Sequence, residues 1–353
     1  RLWPLQIAHW WDETAYLQNA EYLFFGKHNY SELDSRPPLL SVLFGLVFTL
    51  RHTVLSASLA VALLNTLGVL ALAAAARRIY SSQAAILAGL LLGLSPFFSE
   101  TGRTLTPDHP ALSLTALALY FVAIGRRHDE LWKFALGGVL LGAAGLMRFT
   151  ALVSALPLLL LVYHGPRRWR RLAAWSAGLA AAFLPYLPWS HARLGGWLVP
   201  LQKAWRLASY GDQPWSFYWR SLPGVFSWLA LAGLLLWLLA WVVRPGFARV
   251  GEGWTLAVRF PHRAREIRTD LVMFFWLLLL LGFFTLVPEK QRIFIAPAAV
   301  PLYLLAGRGL GLLLPPGRPG VRLPALLALA AAVTWGALPA FHRFEQPFLN
   351  TYE

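Results

Sequence analysis

Two short stretches of this sequence carry residues able to do acid–base and phosphate chemistry. One reads Trp10-Trp11-Asp12-Glu13-Thr14-Ala15-Tyr16, the other Arg103-Thr104-Leu105-Thr106-Pro107-Asp108-His109-Pro110. A carboxylate held against a hydroxyl can take its proton as a general base, so Asp12, Glu13 and Asp108 are the candidate catalytic residues. The candidate phosphate-binding cations are Arg36, Arg103, Lys290 and Arg292. Guanidinium groups grip phosphate bidentately, and an ammonium does so as a point charge. Arg36 directly precedes Pro37-Pro38, so its backbone is held extended and its side chain is aimed by a stiff turn. Arg148 lies between two apolar runs, and His109, next to Asp108, is the histidine of interest. Plainer uses compete with these. Asp12 and Asp108 stand where helix caps would, Asp108 could pair with Arg103, and a lone surface Arg can snorkel to headgroups. What raises the set above those uses is that its members share one face.

That face is set by membrane helices. Of the 353 residues 58% are hydrophobic and only 13% charged, with mean hydropathy +0.54. Soluble domains carry about 25% charged residues, so a soluble or disordered chain is excluded. Apolar runs at 54–76, 84–98, 107–125, 131–147, 150–163, 172–189, 222–243, 270–288, 293–307 and 323–341 predict an all-α polytopic membrane protein with about 10 spans. The run 37–50 is shorter and opened by prolines, so it reads as a helix lying in the interface. Residues 16, 17, 20, 23 and 24 share one helical face ending at Gly26, which predicts a second surface helix. The 17 Trp and 11 Tyr suit a protein with much surface at headgroup level. No cysteine is present, which excludes disulfides, thiolate metal sites and cysteine nucleophiles. Walker, dinucleotide and Cys/His metal motifs are missing as well.

Counting charges orients the runs. With 37–50 kept on the surface, one side of the membrane collects 18 cations and 5 acids, the other 13 cations and 11 acids. Cytoplasmic loops accumulate Lys and Arg, so the first side is cytoplasmic. Three parts follow. Residues 1–53 form an outer catalytic loop with interfacial helices. Residues 54–341 form the transmembrane module, with outer loops 99–106, 190–221 and 289–292 and a cytoplasmic linker or surface helix at 244–269. Residues 342–353 form an outer tail. The net charge of +15 is explained by topology rather than by nucleic acid. The sequence starts at Arg1 rather than Met, so a first membrane helix is expected to precede it.

Asp12-Glu13-x-x-Tyr16 on a surface helix, followed by Arg36-Pro37-Pro38-Leu39-Leu40, resembles the first outer loop of GT-C membrane glycosyltransferases. Glycosyltransferase family 39, with its protein O-mannosyltransferases and lipid A aminoarabinose transferases, is the most similar. Arg103 with Asp108, Gly-Leu-x-Arg148, Leu187-Pro188-Trp189, Phe217-Tyr218 and Lys290-x-Arg292 before Pro297 extend the resemblance over residues 10–305. It implies a GT-C helix bundle, a polyprenyl-phosphate sugar donor, the first acid of the Asp-Glu pair as base, and the cation before Pro-Pro on the donor phosphate. Tyr16, His109 and Arg148 would support them. The chain has Arg36 where the lipid A enzymes have Lys, and no luminal domain follows its last helix in this sequence.

The expected activity is transfer of a sugar from a polyprenyl-phosphate carrier to an acceptor hydroxyl at the outer face of the cell membrane, with inversion. No resident cofactor is expected, and a divalent ion between Asp12 and Asp108 is the less favoured arrangement. The rival class, a lipid-linked-sugar flippase or transporter, predicts charges in mid-helix and paired broken helices, whereas these acids lie at one surface. The lipid donor and membrane lipids are the expected partners, the acceptor being open. A cysteine-free chain makes the topology testable: cysteines introduced at Ser35 and Ser99 should both react with a membrane-impermeant thiol reagent from outside, and one at Arg77 should not. Opposite labelling of Ser35 and Ser99 would make 37–50 a true span.

Overall fold

The computed structural model describes residues 11–27, 33–164, 167–242, 245–250, 253–258, 264–313 and Ala331. Trp10, the run expected at 323–341 (Ala331 apart) and the tail 342–353 lie outside them. Helix α1, Trp11–Phe25, carries Asp12 and Glu13 in its first turn, where free N–H groups and the helix dipole favour acids. It stops at Gly26, whose φ of 61° is open to glycine without a Cβ penalty. Its buried face is Glu13, Ala15, Tyr16, Asn19 and Ala20. The expected face is therefore rotated. Tyr16 and Ala20 are inside, while Phe24 is 36% exposed and lies directly on Gly45 of the next helix.

That helix, α2 (Leu39–Leu50), has 12 residues and spans about 18 Å, short of the roughly 30 Å hydrocarbon layer. There follow α3 (Val54–Ile79), α4 (Ser82–Gly93), α5 (Pro96–Thr101), α6 (Asp108–His128) and α7 (Leu131–Met147). A 3-10 segment, Phe149–Ser154, leads into α8 (Ala155–Tyr163), then α9 (Arg168–Phe183), α10 (Tyr186–Leu194), α11 (Val199–Ala208), α12 (Phe217–Phe226) and α13 (Trp228–Val242). After α14 (Ala264–Leu286), a second 3-10 segment, Arg292–Ala298, opens α15 (Ala299–Gly311). Thr53 caps α3 and Ser81 caps α4, each hydroxyl accepting from a backbone N–H three residues on, at 3.2 Å.

Two expectations change. The 244–269 linker contains an antiparallel hairpin, β1 (Pro245–Val250) against β2 (Gly253–Val258), in register Pro245↔Val258 to Val250↔Gly253. The bundle is helical as expected, and the hairpin stands where the linker or surface helix was expected. Phe247, Val250, Trp254, Thr255 and Val258 are strand formers, and the register leaves only Gly251 and Glu252 between the strands, the length of a tight hairpin connection. Second, four helices among the described residues are long and apolar enough to cross a membrane, Val54–Ile79, Asp108–His128, Ile267–Leu286 and Arg292–Gly311. A fifth arises if Phe217–Phe226 and Trp228–Ala240, bent by 105°, make one broken span. Leu39–Leu50, Ser82–Gly93, Leu131–Met147 and Phe149–Tyr163 are apolar but shorter. Proline divides several expected runs: 84–98 breaks before Pro96 and 172–189 breaks at Pro185.

The packing is that of a membrane protein. On α3 the buried side is Ala57, Val61, Gly68, Ala71, Leu72 and Ala75, whereas Leu59, Leu63, Leu67 and Leu70 point outward, each at least 47% exposed. Small residues inside and large ones outside let backbones approach while lipid covers the leucines. Charges sit at the ends of the bundle. At the basic end Arg171 pairs with Asp129 at 2.6 Å, and Arg308 with the buried Asp270 at 2.8 Å. Arg126, at the foot of α6, reaches Thr269 on α14 at 3.5 Å. The head of α6, with Asp108, is at the other end.

Close backbone approach between α7 and α9 depends on Gly178, where an added methyl would collide with the Ala135 carbonyl. Gly178→Ala should lower stability by about 1–3 kcal/mol through overpacking, read as a fall in the thermal midpoint of the detergent-solubilised protein. Gly224→Ala, in open space, should change it little.

Candidate active site

The acid-rich end is built from the starts of α1, α2 and α6, the end of α7 and the 3-10 segment before α15. Asp12 opens α1 and Arg36 ends the turn before Pro37-Pro38. Arg36 Nη2 donates to Asp12 Oδ1 at 2.8 Å. The two differ in access: Asp12 is 59% exposed and Arg36 18%. One turn along α1, the buried Tyr16 ring lies under the Arg36 guanidinium, 5.3 Å from its centroid, a cation–π arrangement. Arg36 also donates to the Tyr16 hydroxyl. Burial pushes that hydroxyl up to about 12, against the opposing charges of Arg36 and Arg148. Tyr16 is therefore a neutral hydrogen-bonding group at any physiological pH.

Asp108 is the first residue of α6, after Pro107. Its carboxylate is 4% exposed and pairs with Arg148 Nη1 at 2.6 Å. Arg148 is where α7 stops and the 3-10 segment begins, and its guanidinium lies on the Phe294 ring at 4.7 Å. The Asp108–Arg148 pair and the Asp12–Arg36 pair adjoin: Tyr16 feels Arg36, Arg148 and Asp108, and Asp108 feels Asp12. Two guanidinium groups and the Asp108 carboxylate thus act on one buried phenol, and Asp12 is joined to it through Arg36. Among the described residues no three His, Asp or Glu side chains gather in a way that could hold a metal ion.

The other expected site residues lie around this cluster rather than in it. Glu13 is buried, and its Oε1 accepts from the Leu105 N–H at 2.7 Å, tying α1 to the loop ahead of α6. His109 Nε2 meets the Thr101 hydroxyl at 2.6 Å and the edge of Phe98, which fixes the same loop from below. Arg103 lies beside Glu100, and partial burial lowers its pKa. The ion pair open to Asp108 from the sequence is made with Arg148, not with Arg103. Lys290 is buried and donates to the carbonyls of Gln213 and Pro288, at 3.1 and 3.3 Å. Arg292 is exposed at the start of its 3-10 segment.

Two participants are not legible from residue type. Phe294 reads as core in an apolar run, and its spacing two residues beyond Arg292 is the only hint. The Leu105 N–H is backbone. Removing one partner of a buried pair leaves an uncompensated charge at a cost of about 3–5 kcal/mol. Arg148→Gln should therefore lower the thermal midpoint sharply, and Asp108→Asn added to it should restore most of the loss.

Residues 35–191 match the family model of dolichyl-phosphate-mannose-protein mannosyltransferase. No curated protein matches the chain in sequence. Among solved structures, ArnT from Cupriavidus metallidurans bound to undecaprenyl phosphate is similar with a TM-score of 0.69 at 21% identity, over 93% of this chain. The apo form of the same protein gives 0.68 at 18% identity, over 96% of this chain and 72% of its own. The archaeal oligosaccharyltransferase AglB from Archaeoglobus fulgidus, in complex with an inhibitory peptide and a dolichol-phosphate, gives 0.56 at 12% identity over 98% of this chain. The chain spans 60% of the length of the undecaprenyl phosphate-bound ArnT chain and 53% of that of AglB. The sequence pattern and the backbone thus agree: this is a membrane protein with the helical fold shared by ArnT and AglB, and its residues 35–191, from Ser35 before α2 into α10, match the mannosyltransferase family model.

Proposed function

We propose that the chain is the membrane module of a glycosyltransferase that moves a sugar from a polyprenyl-phosphate donor to an acceptor hydroxyl at the outer face of the cell membrane. The observation that carries this is the paired cluster: an accessible carboxylate, Asp12, bound to a guanidinium, Arg36, at the acid-rich end of the bundle. The undecaprenyl phosphate and dolichol-phosphate held by the structural neighbours support a lipid phosphate as the donor's leaving group.

In this reading Asp12 accepts the proton of the acceptor hydroxyl, which attacks the anomeric carbon as the bond to the lipid phosphate breaks. Asp12 loses its negative charge while the departing phosphate gains one. Arg36, already 2.8 Å from Asp12, is placed to follow that charge from base to leaving group, an interaction stronger in the transition state than before it. A single displacement needs no carboxylate nucleophile and inverts the anomeric centre. Glu13 and Asp108, one bonded to Leu105 and the other to Arg148, are positioning residues. Tyr16 holds the Arg36 plane. Arg103, Lys290 and Arg292 extend the positive margin for the phosphate. The donor set of Asp12 and Asp108 does not favour a divalent ion, because each carboxylate already has a guanidinium.

Transfer from a synthetic polyprenyl-phosphate sugar tests this. Asp12→Asn keeps the shape and a capping oxygen, and should cut turnover about 10²- to 10⁴-fold while donor binding persists. Arg36→Gln should lose both donor affinity and turnover, and Arg36→Lys should keep part of each, as a charge without the planar fork. Normal transfer by Arg36→Gln would exclude the assignment.

A further inference from the structure

Next to the ion-pair cluster, a cavity of about 490 Å³ opens between the end of α1, the turn before Arg36 and α10. Tyr22, Leu23, Leu33, Asp34, Trp189 and Arg193 line it. It borders the proposed phosphate site. Asp34 and Arg36 are two residues apart, at most about 7 Å of chain, and Tyr22 is six residues along α1 from Tyr16, about 9 Å of helix. The volume lies within the roughly 300–1,000 Å³ of small-molecule sites.

Its lining is selective. A lipid tail would leave the Asp34 carboxylate and the Arg193 guanidinium facing hydrocarbon, a costly arrangement. A phosphate would meet the Asp34 carboxylate, a like charge. What suits every wall is a molecule with an apolar face for the Trp189 and Tyr22 rings and hydroxyls for the charged groups. Asp34 engages Lys203 of α11 through Oδ2, which leaves Oδ1 to accept from a ligand hydroxyl. Arg193 can donate through its fork.

We propose that this cavity binds a sugar ring, stacked on Trp189 and hydrogen-bonded by Asp34 and Arg193, beside the phosphate held at Arg36. The proposal rests on the transferase reading and names where a sugar sits in it. The ring belongs either to the donor or to a saccharide acceptor, and the chemistry of recognition is common to both.

Saturation-transfer NMR on the full chain in nanodiscs, with methyl mannoside, glucoside and arabinoside as probes, tests it without need of an acceptor. At least one glycoside should receive saturation. Asp34→Asn, at a half-buried position, and Arg193→Gln, at an exposed one, should each weaken that binding roughly tenfold, as loss of a charge-assisted hydrogen bond does, with the thermal midpoint read alongside because Asp34 also pairs with Lys203. Trp189→Leu should abolish transfer to the ring C–H protons. Displacement of the glycoside by a short-chain polyprenyl-phosphate mannose assigns the cavity to the donor's sugar, and retention assigns it to the acceptor. Absence of saturation for all three probes, or equal saturation in parent and variants, overturns the proposal. If the protein still binds polyprenyl phosphate in that case, only the cavity assignment falls and the transferase reading stands.

Discussion

A carboxylate at the edge of a hydrocarbon layer is tolerable only with its counter-charge against it, and much of the acid-rich end follows from meeting that condition for Asp108. The side chain is 4% exposed at the head of α6, and Arg148 answers it at 2.6 Å. The head of α6 and the end of α7 must therefore meet. The Arg148 guanidinium in turn rests on Phe294, which brings in the segment ahead of α15. Tyr16 of α1 carries the Arg36 guanidinium on its ring and lies within electrostatic reach of this pair. Four separate parts of the chain are thus drawn to one place by a single electrostatic requirement.

Geometry of that kind is useful only if the helices beneath it are stiff. The bundle achieves this in part by direct backbone contact between helices. Gly178 of α9 lies against the carbonyl of Ala135 on α7, and Gly309 of α15 against that of Gly233 on α13. Lipid offers no hydrophobic drive for helices to associate, so close van der Waals approach of small residues takes its place. At the basic end the Arg308–Asp270 and Arg171–Asp129 pairs pin the helix feet. Both ends are held by ion pairs, and at the acid-rich end Asp12, 59% exposed, stays open to an incoming molecule.

That division between open and closed acids matters for the proposed transfer. Asp12 and Glu13 are neighbours in sequence, yet one is 59% exposed and the other is buried on the Leu105 N–H. Successive helical residues point about 100° apart, so adjacent acids inevitably face different surroundings. A proton acceptor must be reachable, and a tether must not move. The helix supplies both from one dipeptide, and the tether holds the reachable acid in place.

The sequence alone determined the membrane character, the presence of helices over 11–25 and 39–50, and the grouping of Asp12, Arg36, Asp108 and Arg148 at one end. These follow from quantities local to the chain: hydropathy, helical periodicity, proline positions and the cation count of each loop. Tertiary structure decided the pairing. Whether Asp108 takes Arg103, five residues away, or Arg148, forty residues away, depends on where α7 ends in space, which no local pattern encodes. The same holds for the Glu13–Leu105 bond, the Phe294 platform and the cavity between Asp34 and Trp189, each made by elements far apart in the chain. The number of full crossings also belongs here, because proline and arginine divide apolar runs into pieces whose lengths become readable only as folded helices. Local composition says which residues must find a partner or a surface. Only the helix packing says which partner they reach, because that is set by distances across the bundle rather than along the chain.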